Sequence, residues 1–344
     1  MTVFDDSALD DPAALAGADT ILRRLAEAGS RIRRETADAD APLDQLRGLP
    51  RPRAVIAAGS EARFIRAILE PVCPVPFVAW PRHGLPGWVG ALDLVVVMAS
   101  DVAPPAVVAT VHEAVRRGAL LLIACPATSV VAEHAGGSST ILLPTATGDP
   151  LAAAVVALSA LHRMDLGPAV LPDSVADTMD EVARDCSAFA DVSENPAKDL
   201  ALCLADAQPL VWGGSVLAAR AGRRVAEALR AATGRTALAA DADELLPILE
   251  ATTSRDPFAD PFADGLAADR RPCLVLLDDG NLDPLVRADH GRLVAAAERA
   301  DVRVSVVRHR QGNDVDRYAA LLQTGLFAAV YLSLGLGRTA ASPG

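Results

Sequence analysis

Residues 54–60 read AVIAAGS and residues 210–215 read LVWGGS, and each apolar run leads into a helix-like stretch, EARFIRAIL after the first and VLAARAGRRVAEAL after the second. Each half of the chain then carries a second apolar run, LDLVVVMAS at 92–100 and PCLVLLDDG at 272–280, and a third, ALLLIAC at 119–125 and VRVSVV at 302–307. A unit repeated in this way sets the architecture before any motif is weighed. Runs that are apolar throughout are those of parallel strands covered on both faces, and their alternation with helices predicts two α/β domains of one type. The two are expected to face each other, with a ligand crevice at the ends of strands 54–58 and 209–213.

The 344 residues are 51% hydrophobic but only 3% aromatic, so the cores must be packed from Ala, Val and Leu. Thirty-two basic against 44 acidic residues give a net charge of -12, which disfavours nucleic acid or an anionic membrane as a partner. A small anionic ligand stays open, because it answers to local donors. The five cysteines, at 73, 125, 186, 203 and 273, include no CxxC pair, and an odd count in a chain of this size fits a reducing cytoplasm. The N-terminus, MTVFDDSALDDP, lacks the basic and apolar regions of a signal peptide. The apolar runs are read as shorter than the roughly 18 residues that span a bilayer, so no membrane is expected. LAAAVVALSAL at 151–161 reads as a buried or dimer-facing helix.

The predicted organisation is an N-terminal helical extension over 1–50, with one surface helix at 17–37, a first domain at 51–170, a helical linker at 171–207, and a second domain with a C-terminal helix at 208–344. Asp149-Pro150 and Asn195-Pro196 each read as an N-cap followed by the first helical position. The tandem DPFADPFADG at 256–265 reads as a surface loop.

The glycine turns are the first candidate sites. Gly59-Ser60 and Gly213-Gly214-Ser215 each end a strand and open a helix, where backbone amides and the helix dipole can hold an anion. The competing reading is that the glycines only permit close packing. Neither turn has the three-glycine spacing of a dinucleotide site, and no GxxxxGK[ST] run is present, so no cofactor is expected. In the segment after strand 92–99, Ser100 offers a hydroxyl, but Pro104 and Pro105 remove amides. Arg220, Glu227 and Arg230 fall on the helix after the second turn, Glu227 and Arg230 on one face. A carboxylate there can shuttle a proton between adjacent sugar carbons while arginines stabilise charge; the alternative is a solvated face laced by ion pairs. Lys198 opens a linker helix. The six histidines have no metal spacing, so no metal is expected, and His309, between Arg308 and Arg310 just past the last strand, is a candidate base.

These residues resemble the bifunctional phosphoglucose/phosphomannose isomerase family, built from two sugar isomerase (SIS) domains. AAGSEA is similar to its first glycine turn, ENPAKDLA at 194–201 to its linker motif, WGGSVLAARAGRRVAEALR to the start of its second domain, and LLQTGLFAAVYLSLGLG to its C-terminal helix. The resemblance reaches a divergent, TobH-like actinobacterial branch, which the Ala- and Arg-rich composition suits. It implies two flavodoxin-like three-layer αβα domains with parallel sheets, a helical linker and a C-terminal helix, acting as a homodimer on glucose 6-phosphate or mannose 6-phosphate without metal. It implies a catalytic Glu227 flanked by Arg220 and Arg230. Two departures stand out. Ser100-Asp101-Val102-Ala103-Pro104 replaces the family's phosphate turn, and Ala240–Glu244 lacks its catalytic histidine, a gap His309 is expected to fill. The leading expectation is therefore a cytoplasmic protein that binds a phosphosugar or related sugar derivative without turning it over, in a regulatory role in carbohydrate metabolism. The alternatives are an aldose–ketose isomerase yielding fructose 6-phosphate, and a structural oligomeric partner without a ligand.

Overall fold

The computed structural model describes residues 4–59, 61–100, 102–252 and 270–338; Ser60 and the 256–265 repeat lie outside them. A short 3-10 turn at Asp6–Leu9 leads into α1 (Pro12–Ala26) and α2 (Ala28–Asp44). The first α/β unit runs β1 (Val55–Gly59), α3 (Ala62–Leu69), β2 (Phe77–Ala79), β3 (Leu94–Met98), α4 (Pro105–Arg116), β4 (Leu120–Cys125), α5 (Val130–His134), β5 (Thr140–Pro144) and α6 (Pro150–Arg163). Helices α7 (Pro172–Asp185) and α8 (Pro196–Cys203) form the linker. The second unit runs β6 (Gln208–Gly213), α9 (Val216–Thr233), β7 (Leu238–Ala239), α10 (Ala242–Glu250), β8 (Pro272–Asp278), α11 (Pro284–Arg299), β9 (Arg303–Arg308) and α12 (Asp314–Gly335).

Both sheets are parallel, in the order β2-β1-β3-β4-β5 in the first unit and β7-β6-β8-β9 in the second. In each, the strand that ends in the glycine turn lies second from one edge, beside the run that follows it. The repeat read from the sequence is thus a repeat of strand order. The central strands β1, β3, β4, β6 and β8 are buried nearly throughout. Edge strand β9 alternates, burying Ser305 and Val307 and exposing Arg303, Val306 and Arg308, as a strand covered on one face does. Ile56, Val95, Val97, Leu121 and Ile123 lie in the first core, and Leu210, Trp212, Leu245, Leu274 and Leu293 in the second.

The caps explain where helices begin. Asp11, Asp149, Asn195 and Asp283 each accept backbone N–H groups of the first turn, and each is followed by proline at the first helical position. The N-terminal region departs from the single surface helix expected over 17–37. It forms two helices, divided at Glu27, and α2 buries Ile32, Ala39 and Leu43. Glu35, also buried on α2, accepts the backbone N–H groups of Ala146 (2.8 Å) and Thr147 (2.5 Å), and Arg31 pairs with Asp149 at 2.8 Å.

By its contacts the chain divides into two compact units, one of residues up to Glu27 together with those from Thr178 onward, the other Ala28–Asp177. The N-terminal helix α1 therefore belongs with the C-terminal half. Its partner there is α12, and that helix corrects the reading of the apolar runs. At 22 residues α12 is long and apolar enough to cross a membrane, yet 94% of its most apolar window is buried inside the protein, which makes it a core helix. The Asp5 N–H donates to the Gly335 carbonyl (2.7 Å), Gln323 donates to the Leu25 carbonyl (2.5 Å), and the Tyr331 hydroxyl donates to the Cys186 carbonyl (2.7 Å).

Lys198 joins these pieces. Its side chain is 0% exposed, and its ammonium donates to Asp10 (2.6 Å) and to the carbonyls of Ala188 and Ala190, above the Tyr331 ring. Removing one partner of a buried charge is costly because the other keeps its desolvation penalty. Asp10→Ala should therefore lower stability by about 2 kcal/mol, the moderate end of such losses because Asp10 itself faces water. Lys198→Met should cost less, and the double variant should recover part of the Asp10→Ala loss. Urea unfolding of the three variants checks this.

Candidate functional site

In open parallel sheets, ligands bind beyond the carboxyl ends of the strands, near the point where strand order reverses. In the unit holding β6, that end is built from the 213–215 turn, the residues after β8 and the residues after β9. Ser215 caps α9: its Oγ accepts the Ala218 N–H at 3.0 Å and donates to the Asp279 carboxylate. Asp279 also accepts the Asn281 N–H (3.2 Å). The Gly312 carbonyl accepts two guanidinium N–H groups of Arg317, at 3.1 Å each.

Asp278 is neutralised from the other side. It accepts from Arg308 (3.0 Å), from Arg310 (2.7 Å) and from the Gly280 N–H (2.9 Å). Burial pushes its carboxyl up, but the hydrogen bonds from Arg310, Gly280 and Arg308 outweigh burial and hold it at about 2, against an ordinary 3.8.

The glycines are required by packing. A Cβ on Gly213 would overlap the α9 backbone at Ala218 and Ala219, and one on Gly214 would run into the side chains of Val286 and Trp212. In the other unit, Gly59 has φ +107°, and a Cβ there would strike the Met98 carbonyl oxygen. Beyond that turn, Glu61 occupies the N-cap of α3 with only 2% exposure. Ser100 is exposed and its hydroxyl donates to the Val102 carbonyl (3.2 Å). An open groove of about 470 Å³ is lined by Ala103, Pro105, Val108, Ala109, His112 and His134; its lining carries no arginine or lysine.

The remaining candidate residues are spread out. Arg220 is 9% exposed, and its Nε has no hydrogen-bond partner among the described residues. Glu227 is 45% exposed and pairs with Arg224 at 3.3 Å, one turn away on the same helix. Twelve residues beyond Ser215, it stands roughly 18 Å along the axis from the turn. Arg230 is also exposed and donates to the Ala237 carbonyl at 2.7 Å, toward the far end of α9. Lys198 is taken up by Asp10 and two carbonyls, as above. His309 follows β9 directly, and its N–H donates to the Asp278 carbonyl (3.0 Å). Its Nε2 is buried without a partner among the described residues. Burial lowers its pKa; Glu181, Asp316 and Asp185 pull it up and Arg317 pushes it down. The structure thus gathers Gly213, Gly214, Ser215 and His309 at the strand ends of one unit and sets Glu227 and Arg230 down the helix. Asp278, Asp279, Arg310 and Arg317 belong to the same strand ends. Their one signal in the sequence is the Asp278-Asp279-Gly280 run that terminates an otherwise apolar strand.

Residues 193–341 match the model of the bacterial phospho-glucose isomerase C-terminal SIS domain. The chain has the double SIS-domain fold. The tagatose-6-phosphate ketose/aldose isomerase from Escherichia coli superposes with a TM-score of 0.64 at 14% identity, over 96% of this chain and 95% of that one. The C-terminal domain of glucosamine-fructose-6-phosphate aminotransferase from Francisella tularensis gives 0.64 at 11% identity, over 92% and 96%. A glucose-6-phosphate isomerase like protein from Thermus thermophilus gives 0.50 at 19% identity, over 90% and 94%. No curated protein sequence matches the chain. In this SIS fold the matched segment contains the whole strand-end cluster from Gly213 to Arg317.

The Asp278 network fixes a pH response. The carboxyl titrates lower in the folded chain than its ordinary 3.8, so its contribution to stability is complete above that value and is lost as pH falls through about 2. Asp278→Asn should lower stability at neutral pH and flatten the acid limb of the profile. Urea midpoints measured across that range for both proteins test this.

Proposed function

We propose that the protein binds a phosphosugar at the strand ends beyond β6, β8 and β9 and interconverts its aldose and ketose forms. One observation carries the reading: the segment similar to the bacterial phospho-glucose isomerase C-terminal SIS domain coincides with a strand-end cluster holding a hydroxyl, carboxylates, arginines and a histidine whose Nε2 has no partner among the described residues. The finer expectations travel with it: glucose 6-phosphate or mannose 6-phosphate exchanged with fructose 6-phosphate, a homodimer, the cytoplasm, and the TobH-like branch of the bifunctional phosphoglucose/phosphomannose isomerases.

Aldose–ketose exchange needs a group that takes a proton from C2 and returns it at C1, and donors for the charge that builds on the oxygens. On this reading His309 moves the proton. Burial lowers the pKa of its imidazole, which favours the neutral form a base needs, and its Nε2 has no partner among the described residues. Arg317, whose guanidinium reaches the Gly312 and Asp279 carbonyls, supplies positive charge. Glu227 takes no part, because its carboxylate faces water and Arg224 far along α9. That same solvated Glu227 favours the second reading, a protein that binds the sugar in a regulatory role and leaves it unchanged.

Coupled assays of fructose 6-phosphate conversion to glucose 6-phosphate and to mannose 6-phosphate separate the two. Turnover should be present in the wild type, fall on the order of 100-fold or more in His309→Gln, and stay within a few-fold in Glu227→Gln. No turnover, with fructose 6-phosphate still raising the melting temperature, would favour the binding protein. Neither turnover nor a thermal shift would sink both readings.

A further inference from the structure

The candidate site lies at the carboxyl ends of β6, β8 and β9. The amino ends of the same sheet gather arginine. Arg235 lies between α9 and β7, Arg270 and Arg271 lead into β8, and Arg303 opens β9. Arg338, just past α12, is folded back onto this end, where its guanidinium lies against Gly234 and donates to the Thr233 carbonyl. The backbone ties the pieces together, because the Gln208 N–H at the start of β6 donates to the Arg271 carbonyl (2.8 Å). Along β8, at about 3.3 Å per residue, the two ends of the sheet stand roughly 20 Å apart. The arginines are therefore no part of the site described above.

Some of them have a structural reason. The carboxyl end of a helix carries partial negative charge and favours a cation. Arg235 donates to the Ala205 carbonyl just after α8 (2.6 Å), Arg338 to Thr233 at the end of α9, and Arg271 to the Ala300 carbonyl just after α11 (2.8 Å). Such bonds engage only part of a guanidinium, which has five N–H groups. They leave out Arg270, whose side chain makes no hydrogen bond or ion pair among the described residues. They also do not explain why like charges crowd together. Arg235 is half-buried, and its pKa is lowered, first by burial and then by the charges of Arg270 and Arg338. Asp206 opposes them, but its carboxylate is paired with Arg303. In a chain of net charge -12, guanidiniums held against one another repel, and a bound anion relieves that repulsion.

We infer that Arg235, Arg270 and Arg338 form a second ligand site, at the amino end of this sheet, for a small molecule bearing a diphosphate group. Planar guanidiniums match phosphate oxygens in a paired geometry. These converge at the end of α9 instead of running along a face, so they suit a compact anion better than an extended acidic peptide. Their combined charge also exceeds the about −1.5 to −2 of a single phosphate. The inference is independent of the phosphosugar reading, and a ligand held here would not compete with one at the carboxyl ends.

Calorimetric titration of the full-length chain with inorganic pyrophosphate tests it, with orthophosphate and an oligo-aspartate peptide as further probes. The wild type should bind one pyrophosphate per chain, on the order of tenfold tighter than orthophosphate, and more weakly as salt is raised. Arg270→Ala and Arg338→Ala should each weaken pyrophosphate about tenfold or more. Arg338→Lys, which keeps the charge but not the fork, should fall between. Arg310→Ala, at the other end of the sheet, should leave pyrophosphate binding unchanged. Arg270 makes none of the helix-end bonds, so its variant tests the site even where Arg338→Ala fails to fold by circular dichroism. No pyrophosphate binding by the wild type, equal binding by Arg270→Ala, a loss confined to Arg310→Ala, or tighter binding of oligo-aspartate than of pyrophosphate overturns the inference.

Discussion

The unit that carries the strand-end cluster is organised by the need to bury α12. Nineteen of this helix's residues are buried, among them Tyr318, Phe327, Val330 and Tyr331. A helix apolar on all sides must be enclosed on all sides. The sequence meets this demand from both ends of the chain. Helix α9 comes so close that a Cβ on Gly325 would collide with Val225. Segment 4–27 closes another side through Gln323, Gly335 and the Phe4 ring, which lies against Gly335. The linker closes a third through Tyr331 and Cys186. Burial of this kind pushes the Cys186 thiol up to about 12 and raises the Tyr331 hydroxyl as well, so neither ionises at physiological pH.

Enclosing α12 also fixes what sits at its start. Asn313 caps the helix, accepting from Val315 and Asp316, while Asp316 answers by accepting the Asn313 N–H (2.8 Å). The cap lies four residues beyond His309 in sequence, and Arg317, on its first turn, reaches back to Gly312 and Asp279. A buried helix thus holds rigidly one rim of the strand-end cluster. The opposite rim is held by Ser215 at the start of α9, the helix that packs along it. Two helices committed to the core therefore set the geometry around Asp279.

Much of the fold was legible because it depends on local pattern. The repeated strand runs and the Asp-Pro and Asn-Pro caps are signals carried within a few residues. The division of the N-terminal region was not, because Glu35 and Arg31 owe their burial to Ala146, Thr147 and Asp149, more than a hundred residues away. α12 went unrecognised as a helix long and apolar enough for a membrane because scattered polar residues such as Gln323 and Thr324 interrupt its apolar run. Each of them finds a backbone carbonyl inside the protein, Leu25 for one and Ala320 for the other.

The site was legible only in part, for a physical reason. Spacing on a helix shows which residues share a face, and it put Glu227 and Arg230 together. It cannot show how far that face stands from the strand ends, and a helix of 18 residues is long enough to hold both a turn residue and one remote from it. Nor can spacing show which strand-end carboxylate is neutralised by arginine and which is left to the turn. Asp278 and Asp279 are adjacent and chemically identical, yet successive residues leaving a strand point to opposite faces. One meets Arg308 and Arg310, the other Ser215. The pleat of β8 thus separates a carboxylate neutralised by two arginines from one that bonds the residue capping α9.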